Sequence, residues 1–379
     1  MQSQHPLSSY DEWSQLLEVI VGRGDSYSAH QLDVSFKLFH YHNLLPVRLD
    51  PEFNLPYFEI PQIFVDELQE DIEGLVEVLE QQGIVVLRPA PLPTGSCTIG
   101  TPLWSSRPTP ALNIRDQTIV LGDTILETAP QQRARYFEGD LLKPVFYQYL
   151  QQGAKWISMP RPSLGLGSLD PDYYKDRALD LSDLLDDPIA DSVRGVGYEL
   201  MLDGAQCLRF GRDILVNVAN HNHQLAFTWL EKMFGERFRF HRLQRMSSNH
   251  IDTLILPLRP GLMLVRSLAL RDLLPPGLRN WEMIEAPETS YSPPDYGWKN
   301  FYPGSRYIDM NVLSLDETTV IVNSLNPGLA RALEKHGFDV IEVQHRHGRL
   351  FGGGFHCFTL DTVRTGGCED YIDPNTSEE

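Results

Sequence analysis

Cysteine and basic residues are both scarce in this chain of 379 residues. Its four cysteines, Cys97, Cys207, Cys357 and Cys368, are too few and too irregularly spaced for a disulfide framework, and no two form the C-x-x-C pair typical of zinc and redox sites. Lys and Arg together number 32 against 51 Asp and Glu, a formal net charge of −19. Because such an acidic surface repels phosphate backbones and anionic lipid headgroups, we expect neither nucleic acid nor membrane as a partner.

Long apolar segments are also missing. No run reaches the roughly 18–20 residues that a membrane-spanning helix needs, and the first residues lack the basic and apolar regions of a signal peptide. We therefore expect a cytoplasmic protein. Hydrophobic residues make up 42% and charged residues 22%, which is ordinary globular composition and excludes a mainly disordered or fibrous chain.

Short apolar runs alternate with amphipathic segments from end to end, a pattern typical of an α/β fold. The runs predict strands at residues 17–21, 84–87, 118–121, 214–218, 254–258, 262–265, 319–322 and 340–343. Helices are predicted at residues 62–82, 224–233 and 326–336, with Pro61 before the first, Asn326 capping the last, and Gly83 and Gly337 after their ends.

These elements indicate a strand–strand–helix–strand unit that recurs about every 70–80 residues, so that about five units fit the chain. No linker rich in Ser, Gly or Pro divides it, which favours a single domain over residues 1–379 with internal pseudo-symmetry and a core at about 10–373. Residues 160–193 break the rhythm and are predicted to form a long loop at the site. Residues 374–379 are predicted to be a flexible tail.

The most distinctive local pattern is a run of three glycines, residues 352–354, shortly before Cys357. Glycine permits positive φ and close approach of the backbone, and nearby backbone N–H groups favour a thiolate. The alternative is a glycine turn before a buried structural cysteine. In a strand, His250 and Asp252 would project to the same face, and Asp203 stands beside a glycine in a predicted turn. The structural alternative for His250 and Asp252 is a hydrogen-bonded pair on the surface. The structural alternative for Asp203 is an ordinary capping aspartate.

Together these residues suggest nucleophilic attack by a thiolate, proton transfer by histidine, and carboxylates that bind a cation such as a guanidinium. A metal site is the competing use of the same residue types. His221 with His223, and His345 with His347, have the spacing of ligand pairs, but their neighbours are polar or basic, and we expect neither a metal nor a cofactor. The other three cysteines are expected to be core or surface thiols.

The segment Gly352–Arg364 resembles the C-terminal nucleophile motif, G-G-x-F-H-C-[W/F]-T, of the arginine:glycine-type amidinotransferases. Further blocks of the chain follow that family in order and extend the resemblance over roughly residues 10–373. These blocks are Arg115-Asp116, Arg133-x-Arg135-Tyr136-Phe137-Glu138, Gly153-Ala154-Lys155-Trp156, Asp203-x-Ala205, Arg209-x-Gly211-Arg212-Asp213, His250-Ile251-Asp252 and Met310-Asn311-Val312-Leu313.

The resemblance implies a five-bladed α/β propeller of ββαβ units, the pentein-like fold. It implies that Cys357 attacks the guanidino carbon of L-arginine and becomes a covalent amidino-cysteine. His250 would protonate the leaving amine and later take a proton from a primary amine acceptor, while Asp203 orients it. Asp116 and Asp252 would clamp the guanidinium, and Ser305 stands at the position of a family active-site serine.

The chain departs from the arginine:glycine pattern around the substrate. Ser247 and Asn249 replace an Asn and a Met of that branch, and the arginine that grips the donor carboxylate falls at Ala269. Arg266 or Arg271 is a candidate to replace it. These changes favour a natural-product branch, with an enzyme of the saxitoxin-pathway type as the leading expectation.

Three other functions remain open from the sequence: transfer to glycine, hydrolysis as in arginine deiminase, and guanidine binding without catalysis. A protein that only binds guanidines would be expected to lose the nucleophile or the acid. Both Cys357 and His250 are present in this chain. The oligomeric state is also left open, a homodimer included.

Overall fold

The computed structural model describes residues 3–31, 33, 35–36, 57–93, 97–165, 168, 199–218, 221–244, 250–289, 291–296 and 303–372. Two predicted substrate contacts, Ser247 and Asn249, lie outside these ranges, as do most of the predicted 160–193 loop and the tail 374–379. In the part described, no helix combines the length and apolar character needed to cross a membrane.

The strands form where the short apolar runs predict them, with additional short strands. They are β1 Leu16–Val21, β2 Ala29–Gln31, β3 Tyr57–Glu59, β4 Val85–Leu87, β5 Ile99–Thr101, β6 Trp104–Ser106, β7 Thr118–Leu121, β8 Thr124–Glu127, β9 Lys155–Ser158, β10 Cys207–Phe210, β11 Asp213–Val218, β12 Arg239–Gln244, β13 Ile255–Arg259, β14 Leu262–Val265, β15 Glu282–Glu285, β16 Leu313–Ser314, β17 Thr319–Asn323, β18 Asp339–Val343 and β19 Thr359–Arg364.

The α-helices are α1 Gln62–Gln81, α2 Lys143–Gln151, α3 His221–Phe234, α4 Pro276–Arg279, α5 Pro327–Glu334 and α6 Gly348–Phe351. The predicted caps of α5 are confirmed: the Asn326 side chain accepts the backbone N–H of Leu329, and Pro327 lies in the first turn. Gly83 and Gly337 follow α1 and α5 with φ of 77° and 82°, a conformation that favours glycine.

Five of the sheets in the described part of the chain share one plan of three strands, in the orders β19-β1-β4, β7-β8-β9, β10-β11-β12, β13-β14-β15 and β16-β17-β18. In each, the first pair is antiparallel and the second is parallel, with a helix in the connection between the parallel strands. This confirms the repeated strand–strand–helix–strand unit and the α/β class. The units are unevenly spaced along the chain, so the predicted period of 70–80 residues is wrong, because connections of different length separate them.

The two ends of the described chain meet in one sheet. β1 lies between β4, its parallel partner, and β19, its antiparallel partner, with Val19 opposite Asp361 and Val21 opposite Thr359. The first unit is therefore completed by the last strand.

Helix α1 shows why the amphipathic segments pack as they do. Its buried apolar residues are Val65, Leu68, Ile72, Leu75 and Leu79, which recur at spacings of three and four and form one stripe. They join the strand residues Val19 and Val86 in one apolar cluster. Such burial contributes about 1.5–3 kcal/mol for each large aliphatic side chain, and this fixes the connection between β1 and β4.

Candidate active site

Polar side chains occupy equivalent places in the five sheet units, just before the first strand of each. The residues are Asp116 at the end of the 3-10 turn Ile114–Asp116, Asp203 at the start of the turn Gly204–Gln206, His250 and Asp252 in the turn Ile251–Thr253 and its cap, Asn311 after the turn Ile308–Met310, and Cys357 before β19. The prediction that His250 and Asp252 lie in a strand is wrong. His250 instead precedes a 3-10 turn that contains Asp252, and both side chains still reach the site.

Close packing around the three glycines confirms the need for residues without a side chain there. Gly352 has φ of 70°. A Cβ atom on Gly353 would lie 2.0 Å from Oδ1 of Asn113, and one on Gly354 would lie 2.9 Å from the carbonyl oxygen of Asn311. Oδ1 of Asn311 accepts the backbone N–H groups of Gly354 at 3.1 Å and of Cys357 at 2.8 Å. Asn311 thus fixes the loop that carries the cysteine.

His250 is buried between two carboxylates. Its Nε2 lies 3.1 Å from Oδ2 of Asp203, and its Nδ1 lies 3.4 Å from Oδ1 of Asp116. Burial by itself lowers the pKa of His250, but Asp116 and the hydrogen bond to Asp203 outweigh it and raise that pKa to about 9. The ring is therefore protonated at neutral pH and able to act as an acid. Asp203 begins its turn without capping it, so the capping alternative is wrong.

The thiol of Cys357 faces the same space. Its Sγ lies 3.4 Å from Oδ2 of Asp252, and Asp116, His250 and Cys357 each bring a functional atom to within 4.8 Å of the others. These residue types also ligate metals, but a metal ion would have to displace the proton that Asp116 and Asp203 stabilise on His250.

Burial, followed by Asp252 and Asp116, raises the pKa of the Cys357 thiol well above its usual value. The Gly354 N–H favours the thiolate, as expected for a backbone N–H beside the cysteine. Burial and the two nearby negative charges outweigh it, so the thiol form predominates in the free site.

This environment predicts opposite effects on thiol reactivity and on turnover when one charge is removed. Asp252→Asn takes a negative charge away from Sγ, so the thiol pKa falls and the thiolate fraction at neutral pH rises, by about tenfold for each pKa unit. We expect faster alkylation of Cys357 by iodoacetamide but slower turnover of arginine. Asp123→Asn, on an exposed carboxylate, is the control. An alkylation rate that stays the same or falls in Asp252→Asn would contradict the proposed electrostatics.

Asp116 and Asp252 each present one oxygen that is not hydrogen-bonded. Oδ2 of Asp116 accepts from Arg135 at 2.5 Å, and Arg135 also makes a two-point contact with Glu138 at 2.6 and 2.9 Å. Oδ1 of Asp116 and Oδ1 of Asp252 are buried without a hydrogen bond to any described residue. A buried carboxylate oxygen without a donor is costly, so a ligand with N–H donors and positive charge fits between them.

The two carboxylates differ in proton affinity. Burial raises the pKa of Asp116, more than His250 and Arg135 lower it. For Asp252, the hydrogen bond and charge of His356 outweigh burial and lower the pKa. Asp252 is therefore the more readily ionised of the pair.

The other predicted site residues make their described contacts with residues outside this cluster. Oγ of Ser305 accepts the backbone N–H of Tyr307 at 3.0 Å. The Arg266 guanidinium lies over the Tyr307 ring, 4.7 Å from its centroid, and its backbone N–H donates to Leu254 at the end of the Asp252 turn. The side chain of Arg271 donates to the carbonyls of Arg279 and Trp281, so it has a structural role.

Three of the histidines considered as metal ligands, His223, His345 and His347, have protein partners. Nε2 of His223 lies 3.2 Å from Oε1 of Gln131, and Nε2 of His345 lies 2.9 Å from the carbonyl of Gly353. Nε2 of His347 lies 2.6 Å from Oε2 of Glu67. All four cysteines are free: Cys207 is buried, Cys97 is half-buried and Cys368 is exposed.

Sequence reasoning assigned no role to four residues that shape this site. Asn311, Arg135, Glu138 and His356 all lie within segments quoted for the family resemblance. The contacts of Asn311 and His356 come from distant parts of the chain, whereas Arg135 and Glu138 pair with each other three residues apart. A polar residue directly before the motif cysteine is the signal that could have identified His356.

The chain is similar over nearly its full length to known amidinotransferases. It is 32% identical to inosamine-phosphate amidinotransferase 1 of Streptomyces glaucescens over 96% of this chain and 99% of that protein. It is 31% identical to the L-arginine:L-lysine amidinotransferase of Pseudomonas savastanoi pv. phaseolicola, over 97% of each. A solved amidinotransferase of the saxitoxin biosynthetic pathway from Microseira wollei is 28% identical and superposes with a TM-score of 0.76, covering 97% of this chain and 100% of that one.

No family model matches the chain. The identity and coverage of the relatives nevertheless define its class: it is an enzyme, a transferase of amidino groups. The chain belongs to the amidinotransferase family.

Proposed function

We propose that this enzyme transfers the amidino group of L-arginine to a primary amine through a covalent amidino-Cys357 intermediate and releases ornithine. The observation that carries the proposal is the meeting of the Cys357 thiol and the His250 acid at a space flanked by Oδ1 of Asp116 and Oδ1 of Asp252. A planar cation with several N–H donors fits that space.

In the first half-reaction, the guanidinium binds between Asp116 and Asp252. Its positive charge offsets the two carboxylates, so the thiol releases its proton to solvent more readily, and the resulting thiolate attacks the guanidino carbon. An amine is a poor leaving group, so His250 donates its proton to the departing nitrogen as the carbon–nitrogen bond breaks. Ornithine leaves, the amidino group remains on sulfur, and His250 is neutral.

The second half-reaction reverses these roles. The acceptor amine attacks the amidino carbon and gives a proton to His250 while the carbon–sulfur bond breaks. The new guanidine departs as a guanidinium ion, the protonated histidine is restored, and the thiolate takes up a proton from solvent to return to the resting thiol. Asp203 orients His250 and stabilises its charged form throughout.

We further propose that the five sheet units form a propeller of ββαβ blades within one domain, with the site at its centre. The repeated sheet plan and the equivalent places of the site residues support this arrangement. It accounts for a site assembled from residues far apart in sequence.

Arg266 is the proposed contact for the donor carboxylate, since it follows β14 directly and pairs with the end of the Asp252 turn. It borders a cavity together with Ser267, Arg306 and Tyr307. Arg266→Ala should raise KM for arginine by about tenfold or more, as expected for a hydrogen bond to a charged group, with a smaller change in kcat. Arg271→Ala is the matched control and should lower thermal stability without this change in KM. Equal KM values for the two variants would contradict the assignment.

The acceptor is proposed to be larger than glycine, in a natural-product pathway such as toxin biosynthesis. Ser247 is smaller than the residue it replaces beside His250, and Asn249 adds hydrogen-bonding capacity. Relatives named for inosamine phosphate and for lysine show that the family is not restricted to glycine. A site that hydrogen-bonds its substrate strongly rejects analogues without the matching group.

Catalytic efficiency with glycine, longer ω-amino acids, diamines and amino-ketones should therefore rank glycine last. Ser247→Asn/Asn249→Met should move the preference towards glycine. Glycine as the best acceptor of the native enzyme would overturn the proposal and favour an arginine:glycine enzyme. Citrulline or ammonia formed without any acceptor would instead indicate a hydrolase, whereas ornithine released only with an acceptor supports transfer.

A further inference from the structure

A second histidine lies directly beside the nucleophile. His356 is buried, with Nδ1 2.8 Å from Oδ2 of Asp252 and Nε2 3.3 Å from Oε2 of Glu12. Cys357 directs its thiol at the same Oδ2 of Asp252, at 3.4 Å. One carboxylate oxygen therefore serves both His356 and the nucleophile.

The other oxygen of Asp252 has a different environment. Oδ1 is buried and makes no hydrogen bond within the described ranges. The two oxygens of this carboxylate thus have different partners. Protein donors hold Oδ2, and Oδ1 is left for a ligand. If this carboxylate rotated, Oδ1 would no longer face the space proposed for the guanidinium. The orientation of the carboxylate therefore decides whether a guanidinium can bind.

Glu12 holds the far side of the His356 ring and is itself held firmly. Arg209 donates to its two oxygens at 2.9 and 2.6 Å, and Arg115 donates to Oε2 at 3.1 Å. Burial raises the pKa of Glu12, but the two guanidinium groups outweigh it and place that pKa well below its ordinary value. Asp361 binds both arginines in turn, at 2.6 and 2.5 Å. The ring is therefore braced by buried ion pairs.

We propose that His356, braced by Glu12, is a positioning residue whose Nδ1–H fixes the Asp252 carboxylate so that Oδ1 receives the donor guanidinium while Oδ2 receives the Cys357 thiol. The assignment rests on the proposed use of Asp252 in guanidinium binding. His356 itself does not contact the reacting atoms. It acts through Asp252, whose orientation and ionisation it sets.

Two isosteric variants separate this role from simple packing. The amide nitrogen of His356→Asn stands close to the place of Nδ1 and can still donate to Asp252. The amide nitrogen of His356→Gln stands close to the place of Nε2 and reaches towards Glu12 instead. Both leave the Glu12–Arg209 and Glu12–Arg115 ion pairs in place. If Nδ1–H is the group that matters, the Asn variant retains function and the Gln variant loses it.

The experiment measures arginine binding by calorimetry in the Cys357→Ala background, where no transfer occurs, and kcat/KM with arginine in the native-cysteine background. We expect His356→Gln to weaken arginine binding and lower kcat/KM by about 10²-fold, the order of loss caused by misplacing a reactive group. His356→Asn should stay within about tenfold of the native enzyme. Thermal unfolding of both variants confirms that they fold.

A pH profile adds a readout that a packing role would not move. Loss of the donor raises the pKa of Asp252, so the acid limb of kcat/KM should move to higher pH in His356→Gln and less in His356→Asn. Folded variants with equal arginine affinity and equal acid limbs would overturn the inference. A native enzyme that binds arginine but transfers nothing would instead refute amidino transfer, and the binding comparison would still decide the role of His356.

Discussion

Cys357→Ala is expected to lower amidino transfer by about 10⁴-fold or more, because the covalent intermediate cannot form without the sulfur. In the native enzyme, incubation with arginine and no acceptor should leave an amidine adduct on the nucleophile. The tryptic peptide of residues 350–364 contains Cys357 and no second cysteine, so peptide mass spectrometry can assign the adduct to Cys357.

The other three cysteines supply the controls. Cys97→Ser and Cys368→Ser concern thiols that are half-buried and exposed, respectively, and should retain native turnover. Cys207 is buried in β10 with a raised thiol pKa and should not become modified. An adduct mapped to any of these three, or substantial transfer by Cys357→Ala, would refute the assignment of the nucleophile.

His250→Ala should abolish turnover with equal severity, since it removes the proton donor of the first half-reaction and the acceptor of the second. Asp203→Asn should fold normally yet lower turnover by about 10⁴-fold, as loss of an orienting carboxylate does in hydrolase triads. Single-turnover release of ornithine measures the first half-reaction separately from attack by the acceptor.

A histidine–carboxylate pair outside the site provides the matched control. Nε2 of His241 lies 2.7 Å from Oδ1 of Asp213, a contact like that of His250 with Asp203. His241→Gln should leave kcat within about twofold of the native value, as surface substitutions usually change little. Near-native rates for His250→Ala or Asp203→Asn at neutral pH would count against their proposed roles.

Strands, helices and their caps could be predicted from the sequence because each depends on neighbours within a few residues. The stripe of α1 and the Asn326 cap of α5 are of this kind. The proposed nucleophile also followed from the motif that precedes β19, and the other proposed site residues followed from blocks elsewhere in the chain that resemble the family. The position of His250 did not, because the strand assumed for His250 and Asp252 is in fact a 3-10 turn over Ile251–Thr253 that begins at His250.

Electrostatics of the site depend on contacts that local sequence cannot show. The raised thiol pKa comes partly from Asp252, 105 residues away in the chain. The brace on His356 comes from Glu12, 344 residues away. Neither Asp252 nor Glu12 lies near Cys357 in the sequence. The local sequence therefore could not show the raised pKa of the thiol or the role of His356.

The pairing of β1 with β19 makes the first sheet unit depend on a strand that is synthesised much later than β1. Until β19 has been synthesised, β1 has one edge without its antiparallel partner and the chain lacks Cys357. Such an edge is a template for wrong pairing. A nascent chain or a C-terminally truncated product therefore lacks its nucleophile and its closing strand together, so that loss of activity and exposure to aggregation coincide.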